Sequence, residues 1–388
     1  MHLSPPLASR RANTFGTAVR RAVLPLLFAA TSVGAQGARV PADARLPAHP
    51  RLLLLRGEEQ RILRDVAADP LRRKLHESII AAADDMLALP PIQRIQIGRR
   101  LLDKSREGLR RSFFLSYAWR TTRDARYLRR GERELVTIAG FSDWNPSHFL
   151  DVAEMTMAMA IGYDWLYDGL SDSARVAIRD AILHKGLEPS MDSKYNSWLT
   201  VSNNWNQVCN AGMSYGALAI HEDQPALARS IVDRAIGSVV LPMADYAPDG
   251  AYPEGYGYWG YGTSFNVMLL AALQRVYGTD FGLAARPGFL KTAGYLENMT
   301  GPTGTAFNYA ESGPGGGLEP AMFWFAEVLK DPGLLFVERT HLDRSAPRRL
   351  TSDRLLPSAM SSAATSICAP RRHRSRCSGP AAERIPSR

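Results

Sequence analysis

Residues 253–266 read PEGYGYWGYGTSFN, with Tyr256, Tyr258 and Tyr261 set among glycines beside Trp259. A phenol with its ordinary pKa of about 10 can give a proton, and can take one if its site lowers that value. An aromatic cluster of this kind can equally serve as packing. The glycine content predicts a loop, with Gly255 and Gly257 letting the backbone approach a ligand closely and the following helix opening on the tyrosines. Asp249 and Glu254 lie just before, Asp249 within the turn Pro248-Asp249-Gly250.

Two other polar clusters interrupt apolar helices. In SNNWNQVCNAG, residues 202–212, Asn203, Asn204, Asn206, Gln207 and Asn210 crowd the first turns of a helix. Asn203 suits the N-cap. The remaining amides suit either an oxygen-rich ligand such as a sugar or a buried network between helices. His148, Asp151 and Glu154 recur at spacings of three and so share one side of a helix, where they could act on a ligand or simply link to neighbouring loops.

The elements that must position these groups are helical. SDSARVAIRDAILHKG opens on Ser171, carries Ala174, Ala177, Ile178, Ala181 and Ile182 on one face, and ends at Gly186. PALARSIVDRAIGSVVL behaves likewise from Pro225. The segments 148–170 and 203–220 are apolar all round, which marks buried inner helices beside amphipathic outer ones. The predicted class is mainly α, built of stacked helical hairpins that close into a ring or a solenoid. Strand signals start only at TGTAFNYAESG, residues 303–313.

The chain has 388 residues, 45% apolar and 22% charged, with a formal charge of +9. That excess belongs to the ends: residues 1–45 carry six Arg against Asp43, and residues 346–388 carry nine Arg against Asp353 and Glu383. The body is therefore slightly acidic and lacks the footprint of a nucleic-acid binder. RRAVLPLLFAATSVGAQGA has the basic, apolar and small-residue parts of a secretory leader, predicting cleavage after Ala35, export to the periplasm or beyond, and no membrane span afterwards. Cys209, Cys368 and Cys377 are too few for a disulfide framework and have no metal-ligand spacing; Cys209 reads as a small buried residue. No metal and no cofactor are expected. After about Arg344 the sequence turns aperiodic and rich in Arg, Ser, Pro and Ala, a composition that predicts disorder and that an out-of-frame reading of GC-rich DNA also yields.

HFLDVAEMTMAMAIGYDWLYD, NNWNQVCNAGMSYGALAI and PDGAYPEGYGYWGYGTSFNVML, in this order, resemble the heparinase II/III-like and oligoalginate-lyase group of polysaccharide lyases over about residues 45–345. The resemblance implies an incomplete α/α toroid followed by a C-terminal β-sandwich, here truncated or absent, and cleavage of uronate-containing polysaccharides by β-elimination. It divides the chain into a leader (1–35), a linker (36–56), the toroid (57–300), a transition to the β domain (301–345) and a disordered, frame-shifted tail (346–388).

The same resemblance places the acid/base tyrosine at Tyr258, with Tyr261 and then Tyr256 as substitutes. It places neutralisation of the substrate carboxylate at Asn203 and Asn204, where relatives carry an Asn-His pair and this chain has no histidine. Either Tyr258 makes both proton transfers, the preferred route, or His148 assists. Trp205, Asn206, Glu254, Tyr256, Trp259 and Tyr261 are the expected substrate contacts, and an acidic polysaccharide is the expected partner. Two other readings compete: a glycoside hydrolase using Asp249 and Glu254 as its carboxylate pair, and a non-catalytic carbohydrate-binding remnant.

Overall fold

A computed structural model describes residues 39–313, 316–362 and 367. The leader expected over 1–35, and Cys368 and Cys377, lie outside the described residues. The body is mainly helical. It runs α1 (Glu59–Ala68), α2 (Pro70–Leu87), α3 (Leu102–Thr122), α4 (Ala125–Ala139), α5 (Phe149–Leu166), α6 (Asp172–Ala181), α7 (Asn204–Ala219) and α8 (Pro225–Ser238). The short α9 (Val240–Met243) leads to the long α10 (Gly255–Tyr277), and α11 (Ala293–Asn298), α12 (Ala321–Leu329), α13 (Phe336–Arg344), α14 (Pro347–Leu350) and α15 (Ser358–Ser361) follow.

The sequence signals act as expected at several boundaries. The Ser171 hydroxyl accepts from the Ala174 N–H to start α6, and Asn203 accepts from the Trp205 N–H to start α7. Beyond α6 the helix continues as a π-helical segment through Leu187. Every residue of α5 is buried, whereas α4 buries one stripe that includes Tyr127, Glu134, Leu135 and Ile138. α3, α5, α7 and α10 pack side by side in that order, with α2, α4, α6 and α8 against them. α5 and α7 meet backbone to backbone at Gly212, where any Cβ would overlap Ala153.

Three contacts put the starts of the inner helices at one end. The Leu101 N–H, just before α3, donates to Asp151 in the first turn of α5 at 2.6 Å. His148, which precedes α5, sits edge-on to Trp205 in the first turn of α7, with ring centroids 4.9 Å apart. Asn204, the first residue of α7, donates to Glu254, which precedes α10, at 2.8 Å. The four inner helices therefore run parallel.

Four expectations need correction. The glycine-rich stretch from Gly255 is the opening of α10, because its small residues permit close packing: Gly255 faces Tyr309 and Ser312, and Gly262 faces Gln207 and Asn204. Residues 39–56 are a docked arm that closes the C-terminal ends of the inner helices. Asp164 accepts from the Arg51 and Leu52 N–H groups and from His49, and Arg120 donates to the carbonyls of Leu54 and Leu55. Over 301–345 the described residues contain no strand, only a single bridge between Thr300 and Ala306, then α12 and α13.

The fourth correction concerns residues 346–362, expected to be disordered. They form a strap in which Leu350, Leu355, Leu356, Ala359 and Met360 are buried, so the segment does carry an apolar face. Arg61 holds the Ser361 and Ser362 carbonyls and Arg110 holds the Thr351 carbonyl. Of the rest of the tail only Ile367, also buried, lies within the described residues. Leu356 has no exposed surface, so Leu356→Ala should cost about 2–5 kcal/mol of unfolding free energy in a denaturant titration. A change below about 0.5 kcal/mol would show that the strap does not pack in solution.

Candidate functional site

The amide cluster of α7 resolves residue by residue. Asn206 is fully buried and donates to the Leu199 carbonyl and the Ser238 hydroxyl, while Asn210 donates to Ser238 and to the Asn206 side chain. Gln207 donates to the Tyr246 hydroxyl and accepts from Tyr252. These three amides tie α7 to its neighbours and face away from solvent, so Asn206 is not placed to contact a substrate. Asn203 is exposed and caps its helix. Asn204 directs its backbone and side-chain N–H groups to the two oxygens of Glu254, and Tyr252 donates to one of those oxygens as well.

The aromatic opening of α10 divides in the same way. Trp259 is fully buried, with its indole N–H on the Thr292 hydroxyl at 2.8 Å, and Tyr256 is also buried. Both pack. His148 is buried too, its Nδ1 2.7 Å from Asp151 and its ring against the half-buried Trp205. Asp151 in turn accepts from Asn145 and from the start of α3, so the His148–Asp151 pair fixes helix starts.

Tyr258 and Tyr261 alone of the expected residues line a cleft of about 370 Å³, within the size range of ligand pockets. Arg106 of α3, Glu311 and Glu319 complete one part of its wall, and Asp353, Arg354 and Leu355 of the strap another. The half-buried Tyr258 donates to Glu311 at 3.0 Å. That hydrogen bond, with partial burial, raises the pKa of the phenol and keeps it protonated. Tyr261 donates to Glu154 at 2.7 Å, and burial followed by the Glu154 charge holds its pKa well above the ordinary value.

Glu154 lies behind the cleft wall and ties three of its residues together. It is fully buried and receives Arg106 Nε at 3.1 Å and Arg354 Nε at 2.5 Å. Both guanidiniums also lie over the Tyr261 ring, at 5.1 Å and 5.3 Å from its centroid. Two further carboxyls are biased toward their neutral forms. Burial, then Asp353 and Glu338, raises Glu319 well above the carboxylate range, and burial raises Asp353. Behind them the fully buried Glu338 is pushed up to about 8, again by burial.

Sequence reasoning missed Arg106, Glu311, Glu319, Asp353 and Arg354. Arg106 looks like one more solvent-facing cation of a charged helix, and the strap residues sit in a stretch whose composition reads as unstructured. Among the described residues no group of side chains is arranged to hold a metal ion, and no helix is long and apolar enough to cross a membrane. No family model matches the chain, and no curated protein matches it.

Two substitutions separate packing from site. Asn206→Ala should lower stability by about 1–3 kcal/mol, the cost of stranding buried partners, and leave ligand affinity unchanged. Glu154→Gln should cost about 3–5 kcal/mol, because it leaves two guanidiniums without their shared charge. Unfolding curves for the two variants check both values, and a neutral Glu154→Gln would remove Glu154 from its central role.

Proposed function

We propose that the chain is a polysaccharide lyase that cleaves uronate-containing chains by β-elimination, built on an incomplete α/α toroid whose cleft lies at the common start of the inner helices. The leader-like sequence over 1–35 supports action outside the cytoplasm, on an acidic polysaccharide. The observation that carries the reading is the Tyr258 phenol, protonated and hydrogen-bonded to a carboxylate in an open polar cleft.

The chemistry follows from that pair. Elimination removes the C5 proton of a uronate and protonates the departing glycosidic oxygen, and one group can do both on the same face of the sugar. The raised pKa of the phenol makes the first step uphill: in a minor population Tyr258 passes its proton to Glu311, and that population reacts. The phenolate takes the C5 proton, and the phenol then delivers that proton to the leaving oxygen as the C4–O bond breaks and the C4–C5 double bond forms. Glu311 finally returns its proton to the phenolate. Every proton and electron pair is accounted for without a further reactant.

His148 is buried away from the cleft and carries no part of this scheme, and Asn204 contributes by holding Glu254 beside the tyrosine turn. The hydrolase reading loses support from the engagement of Glu254, whose two oxygens already accept three hydrogen bonds, and from Asp249, which accepts from the Ala251 N–H of its own turn.

Tyr258→Phe keeps the ring and removes the proton carrier. It should abolish the rise in ultraviolet absorbance that an unsaturated uronate gives, by at least about 10²-fold in rate, with an unchanged thermal midpoint. A Tyr258→Phe protein with near wild-type turnover would sink the assignment.

A further inference from the structure

One carboxylate shared by two guanidiniums leaves a positive charge over. Glu154 is that carboxylate, and Arg106 and Arg354 are the guanidiniums. The two differ in exposure: the Arg354 side chain is 19% exposed and doubly hydrogen-bonded to Glu154, whereas Arg106 is 38% exposed and bonded to it through Nε alone. Arg106 is therefore the more exposed and less tightly held of the two, and it lines the cleft. Stacking on Tyr261 fixes the guanidinium plane.

Of the other acids of the cleft, burial raises the pKa of Glu319 and Asp353, and Glu311 accepts from the Tyr258 phenol rather than pairing with Arg106. Arg106 keeps its own charge: burial opposes it, but Glu154 and Tyr261 outweigh that and raise its pKa. A guanidinium held through Nε and stacked on an aromatic ring suits the fork of a carboxylate with its remaining N–H groups.

We infer that Arg106 is the anchor for a ligand carboxylate in this cleft. Under the lyase reading, on which the identity of the ligand rests, that carboxylate is the uronate C6 carboxyl, two bonds from the proton that Tyr258 removes. Arg106 transfers no proton; it offsets the carboxylate charge and so makes the C5 proton easier to remove. This supplies the neutralising group that Asn203 and Asn204 do not provide, one being a helix cap and the other bound to Glu254.

The test uses the full chain with glucuronate and glucose as probes, their binding followed by NMR titration, and thermal unfolding as the check on folding. The wild-type protein should bind glucuronate at least tenfold more tightly than glucose. Arg106→Gln should erase that preference, and Arg106→Lys, which keeps the charge without the fork, should restore part of it. Because Arg106 is partly exposed both variants should fold, and the lysine variant alone suffices if the other does not. Retention of the full preference in both variants, or its absence from the wild-type protein, overturns the inference. The lyase reading fails separately, if no uronate polymer yields an unsaturated product while glucuronate still binds through Arg106.

Discussion

The buried Glu154 carboxylate is the interaction on which the cleft depends. It lies on the central helix α5 with no exposed surface, and three other segments reach it: α3 through Arg106, α10 through Tyr261 and the strap through Arg354. A lone buried charge is costly, so each partner is needed by the carboxylate as much as it is oriented by it. The consequence is geometric. One anion sets the position of two guanidiniums and a phenol around a single opening.

That arrangement depends on the parallel inner helices. Asp151 joins the starts of α3 and α5, and Glu254 joins those of α7 and α10, so polar side chains fix the helix starts while the apolar bodies pack by shape. At the far end the arm over 39–56 supplies Arg51 and Leu52 N–H groups to Asp164 and carbonyls to Arg120. Buried charge at both ends thus brackets an apolar middle, with the more open end left for a ligand. The proposed elimination uses that asymmetry, placing a proton carrier and a cation where burial is incomplete.

Much of the scaffold was legible in the sequence. The period of apolar residues gave the inner and outer helices, Ser171 and Asn203 gave their caps, and of the apolar segment 148–170 the helix Phe149–Leu166 is completely buried. Composition misled where tertiary packing overrode it. Glycines 255, 257, 260 and 262 read as a loop, yet in α10 they admit close neighbours such as Ser312, Glu319 and Gln207. The strap looked unstructured because its apolar residues lack helical periodicity, and only the fold shows that Leu355, Leu356 and Met360 share one surface. At the site, Tyr258 and Tyr261 could be read from their setting, but Arg106, Glu311 and Arg354 could not, since their roles come from partners 48, 53 and 200 positions away in the chain.

The central claim is that this cleft breaks a uronate chain by elimination, and the ratio of product ends tests it most directly. Uronate polymers incubated with the protein should yield unsaturated uronate ends and new reducing ends in equal number, counted by NMR on the same sample. New reducing ends without the C4–C5 double bond would mean hydrolysis and would contradict the account.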